Sequence, residues 1–281
     1  MSRPALRRRK LSTGTITLSV FTLLLAVVAV LPPDTSLQLV KGSGVLRVCV
    51  PDRYPPLVTG DPAAPGVDLD IVSAISAELG VRLVVNTNSA MGRDWNPRNW
   101  RVTRGQCQVI AGGVVDSMTT RIFLDTIRPY FETGWALVMP VEVSTLDGAA
   151  VGFHPGVSGL DRIALSRFLR AQGARTTPVS TVEELEAGLR SGRFTVGISE
   201  ALNVRVLAGR NGWIAQWLPE ELGRHGITLG LWKGDVTLKR AVARALEAKR
   251  RDGTLARIVE RYRLTEIGEE CTPCRLPGSG P

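Results

Sequence analysis

The segment His154-Pro155-Gly156-Val157-Ser158-Gly159 combines a hydroxyl with a glycine-rich turn behind an apolar run. If that run is a strand and a helix follows, backbone N–H groups of the turn can hold an anion and Ser158 can add its hydroxyl. It is not a hydrolase elbow, because the glycine after Ser158 is adjacent to it. No P-loop and no His-Glu-x-x-His occur, so nucleotide hydrolysis and zinc proteolysis have no support. Cys49 and Cys107 each fall in a strand-like run, and Cys271-Thr272-Pro273-Cys274 in a polar tail. A lone Cys-x-x-Cys without a second Cys or His pair is not a zinc set, and without a following helix it is not thioredoxin-like. The tail pair reads as a local disulfide or as two free thiols, and no motif here calls for a cofactor.

The net charge of +9 points less to nucleic acid than it first suggests. Arg3, Arg7, Arg8, Arg9 and Lys10 supply five of those charges before any acid occurs, leaving +4 for the rest of the chain. The other basic residues are scattered rather than striped, and no aromatic-basic interleaving of the RNA-binding kind is present. The basic start precedes Ile16–Leu31, a run with no charge, and then Pro32-Pro33-Asp34. That order is an export signal over residues 1–33, either cleaved or kept as an N-terminal anchor. Either way the remainder lies outside the cytoplasm, and cysteines there favour disulfides over metal.

Helix and strand signals alternate along the chain, which predicts an α/β fold. Leu46–Val50 is a short apolar strand. Leu69, Val72, Ile75 and Leu79 recur at helical spacing, with Asp68 and Asp70 at the positive end and Gly80 as the stop. Val81–Val85, Cys107–Ala111, Ala136–Met139, Ala150–Phe153 and Phe194–Ile198 read as further strands, the second of these runs following the irregular stretch Asn86–Arg104 and ending at Gly112-Gly113. Thr181-Val182-Glu183-Glu184 is a capping box ahead of Leu185 and Leu189. Leu238, Val242 and Ala245 form one terminal stripe. Leu255, Ile258, Val259 and Tyr262 form another behind Thr254 as N-cap.

Several blocks, in order, resemble the family 3 periplasmic solute-binding proteins, the amino-acid-type receptors of ABC transporters. They are the strand into Tyr54-Pro55-Pro56 with Gly66-Val67-Asp68-Leu69-Asp70, then Arg104-Gly105-Gln106-Cys107-Gln108 into Val109–Gly112, then Arg128-Pro129-Tyr130 into Val138. Gly188–Glu200 and Trp232-Lys233-Gly234-Asp235 through Tyr262 complete the set, with Gln108 standing where an Asp is common. The resemblance spans about Leu46 to Tyr262. It implies the two-lobed type II fold, with the second lobe inserted in the first and two hinge strands between them. The implied boundaries are 44–140 with 231–267 for the first lobe, 141–230 for the second, and 268–281 as a disordered tail.

The resemblance also assigns roles. A solute with a carboxylate and an ammonium needs a cation for the first and an acid for the second. Arg121 is the cation expected for the carboxylate and Glu200 the acid expected for the ammonium, facing each other from opposite lobes. Counted without gaps from Gln108 or back from Tyr130, Arg121 falls one position late. Tyr54 stands at the family's stacking aromatic, and Ser158 joins the anion-holding loop. Cys49 and Cys107 lie on strands that are neighbours in this fold, which leaves two outcomes open, a disulfide between them or two buried free thiols. The implied partners are a small amino acid or related carboxylate and an ABC permease, with no cofactor and the receptor acting as a monomer. Two other readings stay in view. Glu200-Ala201-Leu202-Asn203-Val204-Arg205 resembles a segment of cyclohexadienyl dehydratases, although the acid that family has after its loop is replaced by Leu160, with Asp161 one further on. The other is an accessory or sensor protein with a degenerate cleft.

Overall fold

Strand β1 (Val45–Val50) is apolar almost throughout because it has a parallel neighbour on each side, β2 (Arg82–Thr87) and β3 (Val109–Asp116). The remaining strands are β4 (Leu124–Thr126), β5 (Phe131–Met139), β6 (Ala150–Phe153), β7 (Arg175–Pro178), β8 (Val196–Glu200), β9 (Ile214–Trp217), β10 (Arg224–Trp232) and β11 (Gly268–Glu270). Among the described residues from Ser36 onward the α-helices are α1 (Ser36–Ser43), α2 (Val67–Glu78), α3 (Met118–Phe123), α4 (Arg162–Ala171), α5 (Val182–Arg190), α6 (Ala201–Asn211), α7 (Val236–Arg251) and α8 (Thr254–Arg261). This computed structural model describes residue 14 and residues 17–23, 33–91, 96–156, 160–264 and 267–270. It divides into two units, Met1–Thr35 and Ser36–Pro281. In the first, residues 17–23 are helical, and among the described residues no helix is long and apolar enough to cross a membrane. The expected signal otherwise falls mostly outside the described residues, as do Ser158, Cys271 and Cys274.

The strand order β2-β1-β3-β10-β5-β8-β6-β7 shows how the second lobe is inserted. Strand β5 carries the chain across. Its first residues, Phe131–Gly134, pair antiparallel with β10, and Trp135–Met139 then pair with β8 and β9. Strand β10 brings the chain back to lie against β3. The period of two along β5 is used on both faces. Trp135, Leu137 and Met139 enter one second-lobe core with Leu165, Phe168 and Ile198, while Ala136 and Val138 enter another with Leu185, Leu189 and Leu207.

The first-lobe core joins Leu46, Val48 and Val50 of β1 to Ile71, Val72 and Ile75 of α2. Leu238, Val242 and Ala245 of α7 and Leu255 and Ile258 of α8 pack into the same core, so both terminal stripes return to the lobe where the fold began. The N-cap half of the expected box forms, Thr181 Oγ1 accepting from Glu184 N at 3.1 Å, while Glu184 Oε2 reaches one residue further back and accepts from Ser180 N at 3.0 Å. Gln108, out of pattern in the sequence, is used structurally, its Oε1 accepting from Arg47 N at 2.8 Å.

Three expectations need correction. Strand β3 does not stop at Gly112-Gly113 but runs through them to Asp116, since both glycines have positive φ and the ladder to β10 shifts register there. Thr254 does not cap α8, because Asp252 Oδ1 accepts from Thr254 N at 2.9 Å and Gly253 holds the cap position. Residues 268–270 are not part of a disordered tail: they form β11, paired in parallel with β9. Just before them, Leu264 is buried in the first-lobe core while Ile267 packs against a second-lobe core.

Candidate functional site

The first-lobe side of the site is built on a buried acid. Asp68 lies in the first turn of α2, is wholly buried, and takes Gly112 N at 2.6 Å and Gly113 N at 3.1 Å on Oδ2. Its Oδ1 takes the Tyr130 hydroxyl at 2.8 Å. Burial pushes its pKa up to about 6, against the lowering effect of those hydrogen bonds. This network fixes the glycine pair as a platform. A Cβ on Gly113 would lie 2.6 Å from Tyr54 Cε1, and one on Gly112 would run into the Pro51 ring, so only glycine lets these side chains lie down there. Tyr54 therefore rests on Gly113 and extends its hydroxyl toward the other lobe. The Tyr54 loop continues through a cis Pro55–Pro56 bond.

Across the seam stands Glu200, fully buried at the end of β8. Thr133 Oγ1, on the crossing strand β5, donates to Glu200 Oε1 at 2.8 Å, and the Tyr54 hydroxyl donates to Oε2. Gly156 closes the far side, where a Cβ would come within 2.9 Å of Oε2. Glu200 holds the position before α6 yet makes no side-chain capping bond, so the carboxylate serves the seam rather than the helix. Beside it, His154 Nδ1 and Ser199 Oγ are 3.1 Å apart, and Asn203 Nδ2 donates to the same oxygen at 3.1 Å. Partial burial holds the His154 imidazole below its usual pKa. Leu202, the second residue of α6, is buried in the first-lobe core, so the two lobes touch through apolar as well as polar groups.

Arg121 is placed differently from Glu200. Ser117 caps α3, its Oγ accepting from Thr120 N at 3.1 Å, and Thr120 is the inward, buried position. The next residue lies about 100° further round the helix, which turns Arg121 outward with its side chain 59% exposed. Its guanidinium forks onto Asp116, with Nε to Oδ1 and Nη2 to Oδ2 both at 2.7 Å. That fork, more than any other contact, holds the Asp116 carboxyl below the usual carboxylate range. The one-residue offset in the sequence thus has a structural counterpart. Among the described residues Arg121 meets Asp116, and it does not reach Glu200.

A cavity of about 450 Å³ opens beside Glu200. Arg53 and Tyr54 line it from the first lobe, and His154, Gly156, Glu183 and Asn203 are among the second-lobe residues facing them. Its size is within the range of small-ligand sites. Cys49 and Cys107 form a disulfide with Cα atoms 5.6 Å apart, within a small core that includes Met91, Trp100 and Leu124. Asp161, the acid nearest the anion-holding loop, is the N-cap of α4, accepting from Ile163 N and Ala164 N. Among the described residues no group of three or more His, Cys, Asp or Glu side chains could hold a metal.

Sequence reasoning missed Asp68 as a buried support, reading it as a charge at a helix end. It also missed Thr133, whose signal was a hydroxyl between Glu132 and Gly134, just ahead of the apolar run of β5. Two lobes joined by crossing strands, with a polar seam and a cavity between them, define a two-lobed solute receptor. The chain belongs to the bacterial extracellular solute-binding proteins, family 3, whose model matches residues 46–265. A polar amino acid ABC uptake transporter substrate-binding protein from Streptococcus thermophilus is similar in structure, with TM-score 0.67 at 17% identity over 84% of this chain and 95% of that one. An ancestral cationic amino acid solute-binding protein gives TM-score 0.65 at 19% identity, covering 81% and 99%. An ABC uptake transporter substrate-binding protein from Streptococcus pneumoniae with bound histidine gives 0.60 at 17%, covering 84% and 98%. A search among curated proteins finds no match.

Proposed function

We propose that this protein captures an amino acid or a related amine-bearing carboxylate between its lobes and delivers it to an ABC-type permease outside the cytoplasm. The observation that carries this reading is Glu200: a wholly buried carboxylate at the lobe seam, met by the Tyr54 hydroxyl from one lobe and the Thr133 hydroxyl from the crossing strand. An ammonium can replace the Tyr54 hydroxyl there, giving a charge-assisted hydrogen bond in place of a neutral donor. Because the acid belongs to one lobe and the displaced hydroxyl to the other, binding couples to how the lobes meet. The similar solved structures include receptors holding histidine and arginine, which agrees with this class of solute.

The test is calorimetric titration of the full chain with the twenty amino acids, repeated on Glu200→Gln. The amide keeps an acceptor for Thr133 but loses the charge, so affinity for the best solute falls roughly 10- to 100-fold, as expected for a hydrogen bond to a charged group. Equal affinity in the variant would refute the role of the carboxylate.

A further inference from the structure

The geometry points to Arg53, rather than Arg121, as the residue that takes the carboxylate of the solute. This inference rests on the functional reading above and adds the second half of the recognition chemistry. A zwitterion removed from water needs both charges met, because a charge left unpaired out of water opposes binding. Glu200 answers the ammonium, and the matching cation must face the same space.

Arg121 is poorly suited to that task. Its fork of donors is already closed on Asp116 by two bonds of 2.7 Å, so the pair presents little net charge to a solute. To bind a carboxylate it would have to abandon a bidentate partner of the same chemistry, a near-equal exchange that yields little affinity. Arg53 is in the opposite situation. It precedes Tyr54 in the β1–α2 loop and lines the cavity of about 450 Å³ that Tyr54 and Gly156 also line. Tyr54 donates to Glu200 Oε2, and Gly156 lies close enough that a Cβ there would come within 2.9 Å of the same oxygen, so the cavity wall carries the cation and adjoins the acid. Among the described residues Arg53 makes no hydrogen bond or ion pair, so its planar fork is open to a carboxylate.

The other charged groups around the cavity do not replace it. Arg210 is held by Glu186 at 3.2 Å, and Glu186 also accepts from Arg190 and Asn211. Glu183, across from Arg53, repels a carboxylate and helps fix the orientation in which the ammonium end turns toward Glu200.

The test compares solutes as well as variants. Calorimetry on the full chain measures L-histidine against histamine and L-arginine against agmatine, each pair differing by the carboxylate alone. In Arg53→Ala, affinity for the amino acid bound by the wild type falls roughly 10- to 100-fold, while affinity for its decarboxylated partner changes little. The preference for the acid is thereby lost, and Arg53→Lys restores part of it because the charge returns without the fork. Arg121→Ala leaves that preference intact. Loss of the preference in Arg121→Ala with its retention in Arg53→Ala overturns the assignment. A drop of equal size for the amino acid and its amine in Arg53→Ala also overturns it, since that is the mark of a structural role. A wild-type chain that binds none of the twenty amino acids overturns the functional reading, and this inference with it.

Discussion

Asp68 offers the sharpest test of how the first-lobe side of the site is held, because its three donors divide unevenly between its oxygens. Gly112 N and Gly113 N both go to Oδ2, and the Tyr130 hydroxyl goes to Oδ1. Asp68→Ala leaves two backbone N–H groups and a hydroxyl buried without an acceptor, which costs about 3–5 kcal/mol, as for other broken buried networks. For a chain of this size that is a fall in Tm of the order of 10 °C. Asp68→Asn is different. An amide oxygen in place of Oδ2 serves both glycines, and the amide nitrogen donates to a Tyr130 hydroxyl that turns toward Thr228 O, 3.5 Å away. The sign of the pH effect follows from the raised pKa. The folded state keeps this proton up to about pH 6, whereas the unfolded chain releases it near 3.8. Between those values the folded state binds more protons, so stability falls as pH rises through that window, by up to about 3 kcal/mol from this group. Asp68→Asn removes that slope and is as stable as the wild type, or more so, at pH 7. Thermal unfolding followed by circular dichroism between pH 4 and 8 reads all three proteins. If Asp68→Asn is as damaging as Asp68→Ala at pH 7, the charge itself holds the platform and the hydrogen-bond account fails.

Two further outcomes follow from the same geometry. Replacing Cys49 and Cys107 by serine opens a link across 58 residues, which lowers stability by about 4 kcal/mol on the chain-entropy model, read as a shift of the urea midpoint. Gly113→Ala forces a side chain onto φ +91° and against the Tyr54 ring. It destabilises the protein by about 1–3 kcal/mol and weakens amino acid binding by displacing Tyr54, whereas unchanged affinity would mean that the ring does not depend on this platform.

The parts of the fold that burial periodicity encodes were legible in the chain. β6 over Ala150–Phe153, the N-cap at Thr181 and the stripes of α7 and α8 each carry their pattern locally. What was not legible depends on a partner distant in sequence. The continuation of β3 through Gly112-Gly113 relies on Asp68, some forty residues earlier, to hold two N–H groups that the shifted ladder releases. β11 is a strand only because β9 offers it an edge. Glu200 was readable as an acid ending a strand, but its donors come from Tyr54 and Thr133, which no spacing relates to it. Arg121 was readable as an offset, and the helix start at Ser117 converts that offset into an outward direction.

The end of the chain bears on how far the receptor can open. After α8 the backbone leaves the first lobe once more, with Leu264 seated in one core and Ile267 packed against the other. Three residues of fully extended chain reach no more than about 11 Å. While both side chains stay seated, the lobes are leashed at that edge whatever the crossing strands permit. A solute therefore enters from the side away from the leash, or Ile267 and β11 must first peel from β9. Ending the chain ahead of Ile267 would then widen the opening without touching a residue of the binding seam.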